Sequence, residues 1–256
     1  MPDVSGNTIP LAQAMAKLDR DHTWRRFKLD YPEVSFGHFA ITRFDIPHDD
    51  EKRREIVRRE GMDRDPGYGQ GFCKLIEYPT PECAAARQNG KVFWMSDTKA
   101  EIVEHYPLFN AIREHQAKRI IINGLGLGMA VHGALQFPWV EHIDIVEVNQ
   151  EIVDGIRSLI GDKRVRYHVD DAFSMKFPSA DNWDLAWHDI WPKIDDLNVP
   201  QMERLRRKYK WRTRWQGCWQ EDGCRAMADA MRRAKNGTMT PDEAFGILVE
   251  GRWPFK

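Results

Sequence analysis

The hydrophobic and polar positions in the second half of the chain predict strands that alternate with helices. Aliphatic runs mark the strands, and each of the first two is followed by a stretch with the period of an amphipathic helix. The predicted strands are the run that begins at Arg119, Glu141–Val148, Arg164–Val169 and Trp183–His188. This order predicts half of a doubly wound parallel sheet, in which ligands bind at the carboxyl ends of the strands.

Three glycines at alternate positions follow the first of these strands and precede a helix. They are Gly124, Gly126 and Gly128. Without Cβ atoms, this turn lets a ligand lie against the backbone, and the helix start offers N–H groups to polar ligand atoms. Met129 stands where a dinucleotide-binding fingerprint has glycine or alanine. The spacing therefore argues against a pyrophosphate as the ligand.

Acidic residues stand at the carboxyl ends of the next strands. Glu147 lies roughly 20 residues beyond Gly128, the separation expected of an acid that accepts both ribose hydroxyls. Asp171 follows the third strand, with Asp170 before it, and Asp189 follows the fourth. Together with the glycine turn, these acids predict a nucleoside-binding crevice.

On these residues the chain resembles the class I S-adenosylmethionine-dependent methyltransferases. The resemblance implies a Rossmann-like α/β fold and S-adenosylmethionine as the cofactor. In that family the glycine turn passes under the methionine part, the acid holds the ribose, and an Asp-Ala pair contacts the adenine. These roles would fall on Gly124, Gly126, Gly128, Glu147, Asp171 and Ala172.

One position places the chain near the spermidine-synthase-like branch of that superfamily. Ile122 stands where most methyltransferases have an acid, and that branch also has an aliphatic residue there. The segment from Val92 to Phe109 resembles the strand and helix that precede the glycine turn in the branch. Asp97 and Glu101 fall where aminopropyltransferases place acidic and polar residues over the active site. The resemblance extends over about Lys91 to Pro192.

Two departures from the spermidine synthases favour methyl transfer. Leu127 replaces an acid inside the glycine turn, and Asp189 opens D-I-W-P instead of D-x-x-D-P. We therefore expect a methyltransferase that acts on an unidentified acceptor, favoured as a small molecule. Aminopropyl transfer from decarboxylated S-adenosylmethionine and a non-catalytic cofactor-binding or scaffold protein stay open as alternatives.

The end of the fourth strand supplies candidates for the acceptor side. Asp189 can orient the acceptor or remove its proton, and His188 can serve as a base near neutral pH. Neighbouring side chains on a strand point to opposite faces, so that only one of the two faces the cofactor easily. Trp191 with Pro192 resembles an aromatic platform for a planar acceptor. Glu101 is also the acid of a capping box begun by Thr98.

Outside the central region, the pattern predicts two flanking parts. Strands are predicted at Ser35–Ile46, in FCKLIEY and in KVFWMS, with a charged helix at about Asp49–Glu60 and a linking helix from Thr98 to about His115. We expect residues 1–116 to form a β-rich module and residues 117–256 a Rossmann-like domain with about five strands. A fifth strand between Lys208 and Trp215 and a helix at about Asp222–Lys235 complete it. Short helices are predicted around Leu11–Leu18 and after Thr240.

Composition excludes several classes of protein. The net charge is −1 with 30% charged residues, which implies no global polyelectrolyte partner. The basic and aromatic run from Arg204 to Trp215 nevertheless keeps contact with nucleic acid open. No apolar run near 18 residues and no secretory leader is present, so that we expect a cytoplasmic protein without membrane spans. The four cysteines lack zinc-knuckle spacing, no metal is expected, and a homo-oligomer stays an alternative.

Overall fold

Two β-sheets of different type organise the chain in the computed structural model, which describes residues 26–60, 68–89, 92–240 and 243. The first sheet is antiparallel and consists of β1 (Val34–Phe36), β2 (Phe39–Ile46), β3 (Gly69–Glu77) and β4 (Val92–Ser96), in this order. The second sheet is parallel and consists of β5 (Arg119–Asn123), β6 (His142–Glu147), β7 (Val165–Val169), β8 (Leu185–His188) and β9 (Trp215–Cys218).

Eight helices connect or cover these strands in the described ranges. They are α1 (Asp50–Glu60), α2 (Pro81–Ala86), α3 (Lys99–Glu104), α4 (Tyr106–Glu114), α5 (Met129–Leu135), α6 (Gln150–Ile160), α7 (Asn198–Tyr209) and α8 (Glu221–Lys235). None of them combines the length and apolarity needed to cross a membrane.

The strand order of the parallel sheet is β7-β6-β5-β8-β9. The order in which the chain adds strands therefore reverses between β5 and β8, although all strands run parallel. Sheets of this kind bind ligands at such a switch point. The isoleucines Ile120, Ile121 and Ile122 of β5 are fully buried, as expected for a central strand covered on both faces. The predicted α/β fold, with an antiparallel sheet before it, is confirmed.

One strand predicted in the amino-terminal part is wrong. Ser35–Ile46 was expected as one strand, but it forms a hairpin of β1 and β2. Gly37 makes the turn with a φ of +51°, in the left-handed region that favours glycine. The backbone N–H of His38 then donates to Glu151 Oε2 at 2.8 Å, which ties the hairpin to the start of α6.

The predicted linking helix is divided into α3 and α4. Pro107 lies at the start of α4, where its ring suits the first turn but cannot continue a preceding helix. His105 stands between the two helices. The predicted capping box is also wrong, because the Thr98 side chain makes no cap bond and instead accepts from Ser96 Oγ at 3.1 Å.

The carboxyl-terminal part corrects the predicted fifth strand. Lys208 lies in α7, and the strand β9 begins only at Trp215. The buried residues Met202, Leu205 and Tyr209 recur at helical spacing, which overrides the alternation of charged and aromatic residues after them. The helix predicted around Leu11–Leu18 lies outside the described residues. The one after Thr240 also lies largely outside them.

Candidate functional site

A cavity of about 720 Å³ lies between the carboxyl edge of the parallel sheet and the strand β4. Its walls come from β4, the start of α3, the glycine turn, the ends of β6, β7 and β8, and Trp219. The predicted site residues that line it are Gly124, Gly126, Glu147, Asp171, Ala172, Asp189, Trp191 and Glu101. The structure thus brings most of the predicted candidates to one cavity.

The glycine turn is required by the close approach of two other segments. Gly124 has a φ of +95°, and a Cβ there would lie 1.8 Å from the backbone oxygen of Asp189. Gly126 has a φ of +49°, and its Cβ would lie 2.3 Å from the sulfur of Met95. Gly128 stands at the N-cap of α5 and is not among the lining residues. The turn therefore forms a thin floor between β8 and β4.

The carboxylate of Glu147 connects this floor to the end of β6. Its Oε2 accepts from the backbone N–H of Leu125, and its Oε1 accepts from that of Asn149, both at 2.9 Å. Glu147 is therefore also structural, a role that its sequence position does not reveal. Each carboxylate oxygen keeps a further lone pair, so that the side chain can still accept hydroxyl hydrogens from a ligand.

Asp171 and Ala172 border the cavity beyond the end of β7. Asp171 Oδ1 accepts from the backbone N–H of Phe173 at 2.8 Å, which shapes the loop. Val148, directly after Glu147, also lines the cavity and is 71% exposed. An apolar side chain and a loop with polar backbone groups therefore both border the cavity, a combination that suits a flat heterocycle with polar edges.

His105 is the main site residue that sequence reasoning missed. Its Nε2 lies 3.1 Å from Asp189 Oδ2, and its Nδ1 lies 2.9 Å from the backbone oxygen of Glu101. The ring is 1% exposed, and burial alone disfavours its charged form. The hydrogen bond to Asp189 and the charge of that residue outweigh the burial and raise the pKa of His105.

Two buried tryptophans line the cavity. Trp191 donates from Nε1 to Gln201 Oε1 at 3.0 Å, and Trp219 donates from Nε1 to Glu104 Oε2 at 2.8 Å. Each ring is 6% exposed and is held by its hydrogen bond. The cavity that holds the predicted platform at Trp191 thus contains a second tryptophan, which the sequence did not single out.

His188 does not belong to the cavity, contrary to the predicted substrate-binding role. The ring is fully buried, accepts from Asn123 Nδ2 through Nδ1 at 2.7 Å, and donates from Nε2 to Gln216 Oε1 at 3.2 Å. Burial lowers the pKa of His188 to about 4, so that the ring is neutral. The alternation of side chains along the strand end gives the cavity Asp189 and not its neighbour.

Asp97 is also placed away from the cavity, and the role implied by the resemblance does not fit its position. Its carboxylate is fully buried and accepts from the backbone N–H groups of Cys73 at 2.6 Å and Leu29 at 2.8 Å. Burial raises the pKa of Asp97 to about 7. The residue therefore ties β3 and the segment before β1 to the end of β4.

Three arginines of the basic run from Arg204 to Trp215 make polar contacts with other segments of the chain. Arg206 pairs with Glu221, and Arg214 pairs with Asp184 at 3.2 Å. Arg212 donates to backbone oxygens that include those of Pro178 and Asp181, both at 2.8 Å. Each of these three arginines is therefore committed to a contact within the chain.

Sequence comparisons find relatives that are named as polyamine aminopropyltransferases. No family model matches the chain. A polyamine aminopropyltransferase from Agathobacter rectalis is 33% identical over 96 residues, which cover 35% of this chain and 33% of that protein. Another from Prochlorococcus marinus is 30% identical over 90 residues, 30% of this chain and 31% of that protein. The chain thus spans about a third of the length of the curated relatives it matches.

Two solved structures with a distant likeness to the chain are methyltransferases. The N-methyltransferase NodS from Bradyrhizobium japonicum has a TM-score of 0.38 at 12% identity, covering 59% of this chain and 81% of that chain. The CcbJ methyltransferase from Streptomyces caelestis has a TM-score of 0.35 at 14% identity, covering 43% and 44%. Likenesses this distant carry no argument about activity. The strand order, the glycine turn and the sequence matches confirm the resemblance to the class I superfamily and its spermidine-synthase-like branch.

Proposed function

We propose that this chain binds S-adenosylmethionine at the carboxyl edge of its parallel sheet and transfers the methyl group to a small-molecule acceptor. The observation that carries the proposal is the position of Glu147, Gly124 and Asp189 around one cavity. In this arrangement residues 117–256 hold the donor, and residues 1–116 cover the acceptor.

The residues of the cavity fit an adenosine-containing donor. Glu147 is 8% exposed and offers lone pairs for the ribose hydroxyls. Val148 and the loop at Asp171 suit the adenine, and the glycine turn at Gly124 and Gly126 suits the methionine part. A volume of about 720 Å³ falls within the range of about 300–1,000 Å³ that is common for small-molecule sites.

The chemistry divides between the donor and the chain. When bound, S-adenosylmethionine supplies a methyl group on a positively charged sulfur, which needs no further activation. The chain has to orient the acceptor in line with that group and to bind the proton that the acceptor gives up. Asp189 is the group at the cavity that can do both, and Trp191 and Trp219 can hold a planar acceptor beside it.

Aminopropyl transfer is the second candidate, and one observation favours it. Among the lining residues, the basic side chains are Lys193 and His105. Lys193 pairs with Asp195 at 3.1 Å, and His105 contacts Asp189. Among the described residues of the cavity, the α-carboxylate of S-adenosylmethionine would therefore find no uncommitted basic side chain. Decarboxylated S-adenosylmethionine lacks that carboxylate, and the curated matches are named for aminopropyl transfer.

A labelling experiment separates the two candidates. The full chain is incubated with methyl-labelled S-adenosylmethionine and a panel of small aromatic amines and phenols, and in parallel with decarboxylated donor and putrescine. The proposal expects label in a methylated acceptor and no spermidine. Spermidine formation would establish the second candidate. A failure of both arms, together with no binding of either donor, would contradict both and favour the non-catalytic alternative.

A further inference from the structure

The contacts of His105 fix where its protons lie. Its Nδ1 lies 2.9 Å from the backbone oxygen of Glu101, and a carbonyl oxygen can only accept. Nδ1 therefore carries a hydrogen and donates it. The other ring nitrogen, Nε2, faces Asp189 Oδ2 at 3.1 Å. Without a second proton, a ring lone pair and a carboxylate lone pair would face each other, which is repulsive. The contact therefore needs one proton between the two residues.

We propose that His105 and Asp189 form one proton-binding unit, in which His105 is the positioning residue that fixes the charge and orientation of Asp189. When this unit has lost its shared proton, it is a base. The acceptor's N–H or O–H bond then breaks, its electron pair stays on the acceptor atom, and the proton goes to Asp189 and is shared with His105. The transfer of the acceptor's proton rests on the proposed function, whereas the proton shared by His105 and Asp189 is inferred independently of it.

The surroundings of His105 support a charge on the ring when the proton is present. The titratable groups that act on it are Asp189 and Glu101, both acidic. Its aromatic neighbours are Phe109 and Trp187, each with its ring centre 6.2 Å away. The positive charge of the ring is therefore balanced by Asp189, and few other polar groups compete for its hydrogen bond.

A second buried histidine, His188, allows a comparison with His105 within the same chain. His188 is as deeply buried as His105, but its ring nitrogens meet the amide groups of Asn123 and Gln216 instead of a carboxylate. Burial lowers the pKa of His188 to about 4, whereas the pKa of His105 is raised. The two rings differ in the carboxylate of Asp189 beside His105, and in the positive charges of Arg206 and Lys208 near His188, which also lower the pKa of that ring.

Nitrogen NMR of the histidine rings tests the shared proton without any ligand. His105→Gln identifies the His105 signals by their loss, and His188 serves as the neutral reference in the same sample. We expect the pKa of His105 to lie above 6.5, the ordinary histidine value, and Asp189→Asn to lower the pKa of His105 below that value. A wild-type His105 pKa at or below 6.5, or an unchanged His105 pKa in Asp189→Asn, overturns the shared proton.

The kinetic test uses the same variants and distinguishes positioning from folding. With the proposed function in place, kcat of the wild type rises with pH through the pKa that NMR gives for His105. His105→Gln can still donate to Asp189 but cannot titrate, so that we expect this rise to vanish while the Kd for the donor stays within about twofold. An identical pH profile in His105→Gln overturns the role of His105. Failure of donor binding in the wild type would instead contradict the proposed function, and the NMR result would stand apart from it.

Discussion

The sulfur of Met95 accepts a hydrogen bond from the backbone N–H of Leu127 at 2.9 Å. Met95 belongs to β4 of the antiparallel sheet, and Leu127 belongs to the glycine turn of the parallel sheet. The contact fixes the strand that covers the cavity to the floor of the cavity. It also explains why Gly126 has no side chain, because Met95 occupies the space where a Cβ would lie.

This relationship predicts different outcomes for two glycine substitutions. Gly126→Ala brings its Cβ against the end of a flexible methionine, and we expect a loss of about 1–2 kcal/mol in the free energy of unfolding. Adding Met95→Ala should return part of that loss. Gly124→Ala meets the rigid backbone at Asp189 and should cost about 3 kcal/mol or more, with no relief from Met95→Ala. Urea unfolding of the single and double variants measures these free energies. If Met95→Ala restored stability equally in the Gly126 and Gly124 variants, the contact between Met95 and Gly126 would not be the cause of the loss.

The buried polar network behind the site gives a second prediction. Tyr209 donates to Asn123 Oδ1 at 3.0 Å, and Asn123 donates to His188. Tyr209→Phe leaves the Asn123 oxygen without this donor, and we expect a loss of about 1–3 kcal/mol in the free energy of unfolding. Tyr167→Phe is a matched control, because the buried Tyr167 hydroxyl has no hydrogen-bond partner among the residues that the structure describes. Equal effects of the two substitutions on stability would argue against the network.

The secondary structure around the site could be predicted from the sequence, because local patterns determine it. Asn149 caps α6 by accepting from the backbone N–H groups of Glu151 and Ile152, and Gly161 ends that helix in the left-handed conformation, and both residue types are favoured at these positions. The fifth strand was misplaced, because the alternation between Lys208 and Trp215 is also compatible with a helix end and a turn. Burial of Tyr209 decides between them, and burial depends on the packed sheet.

The candidate site was predictable where a residue type at a strand end is informative by itself. Asp189 was found in this way. Its partner His105 is 84 positions away along the chain, and the helix break before Pro107 brings it to the cavity. Asp97 has the expected residue type, but its carboxylate is used by backbone N–H groups of distant segments. Which carboxylate faces a cavity depends on such long-range contacts, and a sequence pattern does not contain them.

Asp97 leads to a prediction about pH and stability. Burial raises its pKa to about 7 in the folded chain, whereas an unfolded aspartate titrates near 3.9. A raised folded pKa contributes stability below the unfolded pKa, and this contribution is lost as pH rises toward 7. We expect this term to be on the order of 4 kcal/mol. Urea unfolding between pH 4 and pH 8 should show this decline in the wild type.

The variant Asp97→Asn isolates that contribution. An amide offers one acceptor to the two backbone N–H groups, so that the variant is less stable at pH 5. Its stability should then change less with pH than that of the wild type. Asp154→Asn, an exposed change on α6, is the control and should leave the slope as it is. A wild-type slope that persists in Asp97→Asn would mean that another group causes it.

The central claim is that Glu147 binds the donor, and calorimetric titration tests this claim most directly. The wild type, Glu147→Gln and the control Glu141→Gln at the other, exposed end of β6 are titrated with S-adenosylmethionine, with its decarboxylated form and with NAD. We predict that the wild type and the control bind one of the two sulfonium donors and not NAD. Glu147→Gln should lose about 1–3 kcal/mol of binding free energy, which is about 30-fold in Kd at the midpoint. A wild type that binds neither donor, or a Glu147→Gln variant that binds as tightly as the wild type, would contradict the account.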